Sequence, residues 1–307
     1  MIFDVAIIGA GPAGTAAFVY ASRKGLKTVL ITESFGGQSI VSSDIKNWIG
    51  ESHISGSDLA EKFKTHAKAN VTETAIIKEY FKVTTITDDG ENFSIILSSS
   101  EVIIAKKILY TAGSSRKKLS IKGVEEFDAK GVVYCASCDG PLYAGKNAVV
   151  IGGGNAGFES AFELLAYCPN VTLINRSSEP RADAVTVQNI LKHPNFTLLI
   201  NTEPVEIIGD TAVTGITIKN TITQETQTLP VSGIFCEIGQ IPTTEIIKEL
   251  VELSEFGSIK IDPLTGKTSH SRIWAAGDCT NILYHQNNIA AGDGIKALED
   301  LFKSMHK

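Results

Sequence analysis

The first apolar run of the chain, Val5 to Ile8, breaks at a glycine and leads into a helix-like stretch of small and apolar residues. Asp4 to Ala17 reads DVAIIGAGPAGTAA. A run of that length bounded by glycine is a buried strand, and the segment after it is a helix. The same text returns as NAVVIGGGNAGFESA at Asn147 to Ala161. After each copy comes a second apolar strand, TVLITE or VTLINR, and then a β-rich stretch. The first stretch holds KVTTITD, NFSIILSS and VIIAKKILYTAG; the second holds FTLLINT, PVEIIG, VTGITIK and SGIFCEIG. A repeat of this kind predicts two related α/β domains.

A third motif, IWAAGDCTN at Ile273 to Asn281, has no counterpart in the middle of the chain, and the helix-like NIAAGDGIKALEDLFKSM follows it. This strand and helix complete the first domain, whose sheet is otherwise short. The expected domains are therefore 1–115 with 243–307, and 116–242 inserted between them. Ser114 to Lys118 and Gly239 to Thr243, with Pro242, are the expected linkers.

Composition narrows the class. A chain of 307 residues, 43% hydrophobic and 20% charged, without low-complexity stretches, is globular and long enough for two cores. A net charge of −6 and the lack of a basic, aromatic-interleaved stripe argue against a nucleic-acid partner. The N-terminal apolar stretch follows Asp4, is interrupted by Gly9, Gly11 and Pro12, and precedes Arg23 and Lys24. It reads as neither a signal peptide nor a membrane span, so a cytoplasmic protein is expected.

Gly9, Gly11 and Gly14 open the first helix, and Gly152, Gly154 and Gly157 repeat their spacing. In a Rossmann-like, three-layer domain the first glycine makes the tight turn, the second lets a pyrophosphate approach, and the third packs helix on strand. Glu33 ends the second strand, where a carboxylate accepts the adenosine ribose hydroxyls. At the matching offset the second domain carries Arg176, which suits a 2′-phosphate, so NADPH is favoured over NADH. Arg181 is placed to join that pocket, while Ser177, Ser178 and Glu179 make it less basic.

Of five cysteines only Cys135 and Cys138 are close in sequence, and Asp139 follows them. Two thiols at that spacing can close a small disulfide ring, and a neighbouring carboxylate can shuttle the proton of thiol–disulfide exchange. Zinc would need two further ligands, and no second close Cys or His pair is present. Cys168, Cys236 and Cys279 lie in apolar surroundings as small hydrophobes. Trp48 and Trp274 read as packing residues, His285 as either a polar loop residue or a neighbour of the first domain's dinucleotide, and His53 as surface.

In order along the chain stand GAGPAG, FGGQ (Phe35 to Gln38), DIKNWIG (Asp44 to Gly50), CASCDGPLYAGK (Cys135 to Lys146), GGGNAG and AAGDCT (Ala275 to Thr280). With these motifs the chain resembles the low-molecular-weight thioredoxin reductases and their sibling, the flavoprotein component of alkyl hydroperoxide reductase. The resemblance implies that Gly9, Gly11, Gly14, Glu33, Gly37, Gln38, Asn47, Asp278 and Gln286 contact FAD. It further implies that Cys138 faces the flavin, Cys135 exchanges with the protein substrate and Asp139 is the acid–base. A homodimer is implied as well, with a nicotinamide domain that rotates about the two linkers.

The chain also departs from that pattern. Asn175, Arg176 and Ser177 replace the His-Arg-Arg run of the reductases, and Thr111-Ala112-Gly113 replaces an Ala-Thr-Gly, a change read as tolerated packing. GGGNAG, CDGPL and GIFCEIGQIP lean to the sibling, of which N-terminal thioredoxin-like modules and an acid in place of Arg176 are expected. The leading expectation is reduction of thioredoxin, or a thioredoxin-fold protein, by NADPH through FAD. An NADH-fed peroxiredoxin reductase, a ferredoxin-fed flavin enzyme and a non-enzymatic redox sensor remain as alternatives.

Overall fold

The computed structural model describes residues 1–42, 45–117 and 119–306; Asp44 of the DIKNWIG text and Lys118 of the first linker lie outside them. The chain divides into two compact units, Met1–Ser115 with Ile241–Lys307, and Arg116–Gln240.

The chain begins with β1 (Ile2–Ala10), α1 (Pro12–Arg23), β2 (Thr28–Phe35), α2 (Gly56–Lys68) and β3 (Ala75–Glu79). A meander of β4 (Val83–Asp88), β5 (Phe93–Leu97) and β6 (Val102–Tyr110) follows. β7 (Ser114–Arg116) leaves this unit. The inserted unit runs through β8 (Val132–Val133), a short α3 (Ala136–Asp139), β9 (Ala148–Ile151), α4 (Asn155–Leu164), β10 (Val171–Ile174), α5 (Ala184–Ile190) and β11 (Phe196–Leu199). It ends with β12 (Thr202–Gly209), β13 (Val213–Asn220), β14 (Thr226–Leu229) and β15 (Gly233–Cys236). After β16 (Gln240–Pro242) the chain returns to the first unit as β17 (Ile273–Ala275) and α6 (Asn287–Lys303).

In the first unit the sheet runs β3-β2-β1-β6-β5-β4, with β17 parallel on β6. Both faces are covered, which is why β1 and β2 read as continuous apolar runs rather than alternating ones. Val5 and Ile7 pack with Phe18, Leu59, Phe63 and Leu298 of the helices. Ala6 and Ile8 point the other way, to Phe93, Ile95, Ile247 and Ile259.

The inserted unit repeats the plan. Its parallel sheet runs β11-β10-β9-β15-β8, and β12, β13 and β14 form a separate antiparallel sheet. Val150 and Leu173 pack on Phe158, Ala161 and Leu164 of α4, whereas Val149 and Ile174 face Ile207 and Ile216 of the meander. Two Rossmann-like domains, one inserted in the other, are therefore present.

Part of each expected linker is a short strand. β7 and β16 pair as a two-stranded ribbon, and the Lys117 amide donates to the Gly239 carbonyl at 3.1 Å. Paired backbone groups leave fewer exposed donors and acceptors than free linkers would.

Among the described residues each buried cluster is made of residues from one unit. The segment 116–240 expressed alone should therefore fold, giving a cooperative thermal transition by circular dichroism. A fragment without such a transition would show that its core needs the flanking unit.

Candidate functional site

The first glycine turn is a backbone-on-backbone contact. Gly9 has φ +103°, and a Cβ there would overlap the Thr111 carbonyl; one on Gly14 would overlap the Gly9 carbonyl. Over Gly11 the space is open, the nearest atom to such a Cβ being the Gly37 Cα at 3.9 Å. Two glycines thus close the turn and the middle one faces a void, with the amino end of α1 beside it. A void over exposed amides at a helix N-terminus suits a pyrophosphate.

That void belongs to a cavity of about 420 Å³ within the first unit, lined by Gly9, Gly11, Glu33, Gly37, Gln38 and Asp278 among others. Glu33 is exposed near the carboxyl end of β2, where ribose hydroxyls would meet it. Gly14 lies beneath the turn rather than in the lining. Asn47 and Gln286 are outside the lining too, and their side chains bond each other at 3.2 Å. Asn288 ties the same loop by donating to the Asn47 carbonyl at 2.7 Å.

Thr111 does more than pack. Its hydroxyl lies 2.9 Å from the carbonyl oxygens of both Ile8 and Gly9, and the residue lines the cavity. Ser39 and Asn287, joined side chain to side chain at 2.8 Å, line it as well. Partnerships this distant in sequence leave no local signal. The Thr-Ala-Gly text was the available clue, since a hydroxyl placed beside a glycine turn can bond its carbonyls.

The second turn copies the first. Gly152 has φ +130° and abuts the Glu237 carbonyl, Gly157 abuts the Gly152 carbonyl, and Gly154 has open space above it. Arg176 follows β10 with its side chain 84% exposed, 3.6 Å from a Glu203 carboxylate that also holds Lys219 at 3.1 Å. An exposed pair of that length is weak and leaves the guanidinium available to a phosphate. Arg181 is brought to the turn by its backbone, its amide donating to the Gly153 carbonyl at 2.8 Å.

Cys135 and Cys138 are joined by a disulfide across α3, with their Cα atoms 5.3 Å apart. The Cys138 amide donates to the Cys135 sulfur at 3.2 Å, so the helix start points an N–H at the sulfur that a thiolate would occupy. Asp139 closes the helix, its amide donating to the Cys135 carbonyl at 3.0 Å, and its charge adds to the burial that pushes Tyr143 up to about 12. Ser137, between the cysteines, donates to Glu163 of α4 at 2.7 Å. The other three cysteines are buried, and burial pushes the thiols of Cys236 and Cys279 up to about 12, which disfavours their thiolates. Trp274 is fully buried and donates to Asp300 at 2.9 Å, while Trp48 packs edge-on against Phe63. His285 bonds the Ile282 carbonyl at 3.2 Å.

Residues 3–294 match the family model described as pyridine nucleotide-disulphide oxidoreductase. The chain belongs to that family. This pyridine nucleotide-disulphide oxidoreductase is 38% identical over 96% of its length to the F component of the alkyl hydroperoxide reductase of Pseudomonas aeruginosa, covering 57% of that protein. It is 35% identical to a Bacillus subtilis protein named NADH dehydrogenase, again over 96% of this chain and 57% of the relative. The chain therefore spans a little over half the length of these curated relatives. Among solved structures, thioredoxin reductase from Giardia duodenalis matches with a TM-score of 0.94 at 31% identity, covering 100% of this chain and 99% of that one.

The family uses FAD and a nicotinamide nucleotide, and the void over Gly11, the open lining and the exposed Glu33 fit FAD in the first unit. Gly11→Ala should therefore fold normally yet bind FAD at least about tenfold more weakly, the loss of roughly 1.5 kcal/mol of close contact. Gly14→Ala, whose methyl would meet backbone, should instead destabilise the protein by about 3 kcal/mol or more. FAD retention and thermal unfolding of the two variants check this, and FAD loss without destabilisation in Gly14→Ala would reverse the assignment.

Proposed function

We propose that this flavin disulfide oxidoreductase transfers electrons from NADPH to thioredoxin or a thioredoxin-fold protein through FAD and the Cys135/Cys138 pair. The observation that carries the reading is the disulfide at a helix start, in the same compact unit as the second glycine turn. The likeness to a thioredoxin reductase over nearly all of both chains supports it.

A bound FAD would supply two-electron chemistry between a nicotinamide and a disulfide. Gly9, Gly11, Gly14, Glu33, Gly37, Gln38 and Asp278 would hold it, with Asn47 and Gln286 fixing each other nearby. Gly152, Gly154 and Gly157 would hold the nicotinamide dinucleotide. In its reduced form the pair works by exchange: the Cys135 thiolate attacks one sulfur of the partner disulfide and releases the other as a thiolate. Cys138 then attacks the Cys135 sulfur of the mixed disulfide, restoring the Cys135–Cys138 bond and releasing the second partner thiolate. The partner gains two electrons, and in this reading Asp139 would pass protons to the leaving thiolates. By family likeness the reading carries with it a cytoplasmic homodimer. Among the described residues no helix is long and apolar enough to cross a membrane.

Arg176 and Arg181 support NADPH; the relatives named for alkyl hydroperoxide reduction and for NADH dehydrogenase mark the alternative. Steady-state turnover with thioredoxin should be faster with NADPH than with NADH. Faster turnover with NADH through a peroxiredoxin system would overturn both the donor and the acceptor. Arg176→Glu should move preference toward NADH by about ten- to hundredfold, because one charge-assisted contact is worth roughly 1.5 to 3 kcal/mol. An unchanged ratio would place the 2′-phosphate elsewhere.

Cys135→Ser and Cys138→Ser should each abolish reduction of the partner, while NADPH still bleaches the flavin absorbance. Wild-type disulfide reduction by either variant would contradict the exchange sequence.

A further inference from the structure

The two units place different residues at one equivalent position. In the first, Thr111 directly follows β6, the strand beside β1, and its carbonyl abuts Gly9 while its hydroxyl bonds the turn. In the second, Glu237 directly follows β15, the strand beside β9, and its carbonyl abuts Gly152. The Glu237 amide donates to the Ile151 carbonyl at 2.9 Å, and its Cβ lies 3.8 Å from where a Gly157 Cβ would be. Between β9 and β15 the strand order reverses, which is the crevice where parallel α/β sheets bind dinucleotides. Thr111 lines the cavity of its own unit, and Glu237 stands at the corresponding position beside the second turn.

We propose that Glu237 is a positioning residue of the nicotinamide dinucleotide site, and that the dinucleotide binds more tightly when this carboxyl is neutral than when it is ionised. The proposal rests on reading the second glycine turn as that site.

Glu237 is half-buried, and Ser160 of α4 donates to its Oε1 at 2.7 Å. Desolvation, with Glu159 and Glu163 of α4 adding to it, pushes the carboxyl up to about 7 against the opposing pull of the Ser160 bond and the Arg116 charge. Its own strand contributes Cys236, a thiol that stays neutral. Arg116 offsets the charge only in part. Its Nε is buried with no hydrogen-bond partner among the described residues, and its guanidinium lies over the Tyr134 ring at 5.2 Å. Ionised, Glu237 sets a negative charge against the turn that must accept the pyrophosphate anion; neutral, it keeps the Ser160 bond without the repulsion.

The expected sign follows. A bound anion favours the protonated carboxyl, so affinity is highest below pH 7 and falls as pH rises through it. If the neutral form does most of the binding, the dissociation constant should rise about tenfold between pH 6 and pH 8. The FAD-loaded full chain would be titrated by calorimetry with NAD⁺ and with NADP⁺ at both pH values and constant ionic strength. NAD⁺ lacks the 2′-phosphate, which itself titrates near pH 6. Wild type should show the rise with both nucleotides, and Glu237→Gln should bind NAD⁺ equally at pH 6 and pH 8. Ser160→Ala, which removes the bond favouring the ionised form, should move the midpoint to higher pH and gives a second variant should Glu237→Gln not fold. A pH-independent wild-type affinity for NAD⁺, or a pH dependence that Glu237→Gln retains, would overturn the proposal. Absence of binding by either nucleotide at either pH would overturn the reading of the turn as a nicotinamide site, and the proposal with it.

Discussion

Both units are organised around a place where a helix start is pressed against the strand that precedes it with no side chain between them. Gly14 against the Gly9 carbonyl and Gly157 against the Gly152 carbonyl leave no room for a methyl group. The approach directs the free N–H groups of the helix start at the open middle glycine. From it follow the void over Gly11, the apolar strands covered on both faces and the position of the strand ends around each turn. A side chain at either third glycine would push the helix outward and dissolve the site along with the packing.

With the frame held in common, the two sites differ through the residues at the strand ends. At the end of the second strand the first unit offers Glu33, and just past the matching strand the second offers Arg176, a difference suited to a free ribose hydroxyl in one site and a phosphate in the other. After the strand beside the turn they offer Thr111 and Glu237. A hydroxyl can bond the turn at any pH, whereas a carboxyl pushed up to about 7 changes charge in the physiological range. The inserted unit also carries the disulfide, where Ser137 of α3 bonds Glu163 of α4, while Ser160 of α4 bonds Glu237 beside the turn. One helix thus touches both the redox loop and the dinucleotide turn.

Local spacing made part of this legible in the sequence. Glycines at fixed offsets, a carboxylate or guanidinium at the second strand end and a Cys-Ala-Ser-Cys segment each act over a few residues, so the text alone displays them. The return of β17 and α6 to the first unit could be read because the middle of the chain lacks a matching motif. What could not be read depends on partners far apart. The Asn47–Gln286 and Ser39–Asn287 pairs join residues on opposite ends of the first unit, and Thr111 reaches back to Ile8 and Gly9. The pairing of β7 with β16 was hidden for the same reason, since neither three-residue strand has an apolar pattern of its own. Glu237 carries no local signal in its apolar stretch, because the turn its carbonyl abuts lies more than eighty residues earlier.

The central claim is that one chain holds two electron acceptors in series, a flavin and the Cys135–Cys138 disulfide. Anaerobic titration of the oxidised, FAD-loaded protein with NADPH, followed by flavin absorbance and thiol content, addresses it most directly. The account predicts uptake of two equivalents of NADPH per chain, with two new thiols formed at completion, because each acceptor takes one electron pair. Uptake of a single equivalent with the disulfide left intact would contradict it.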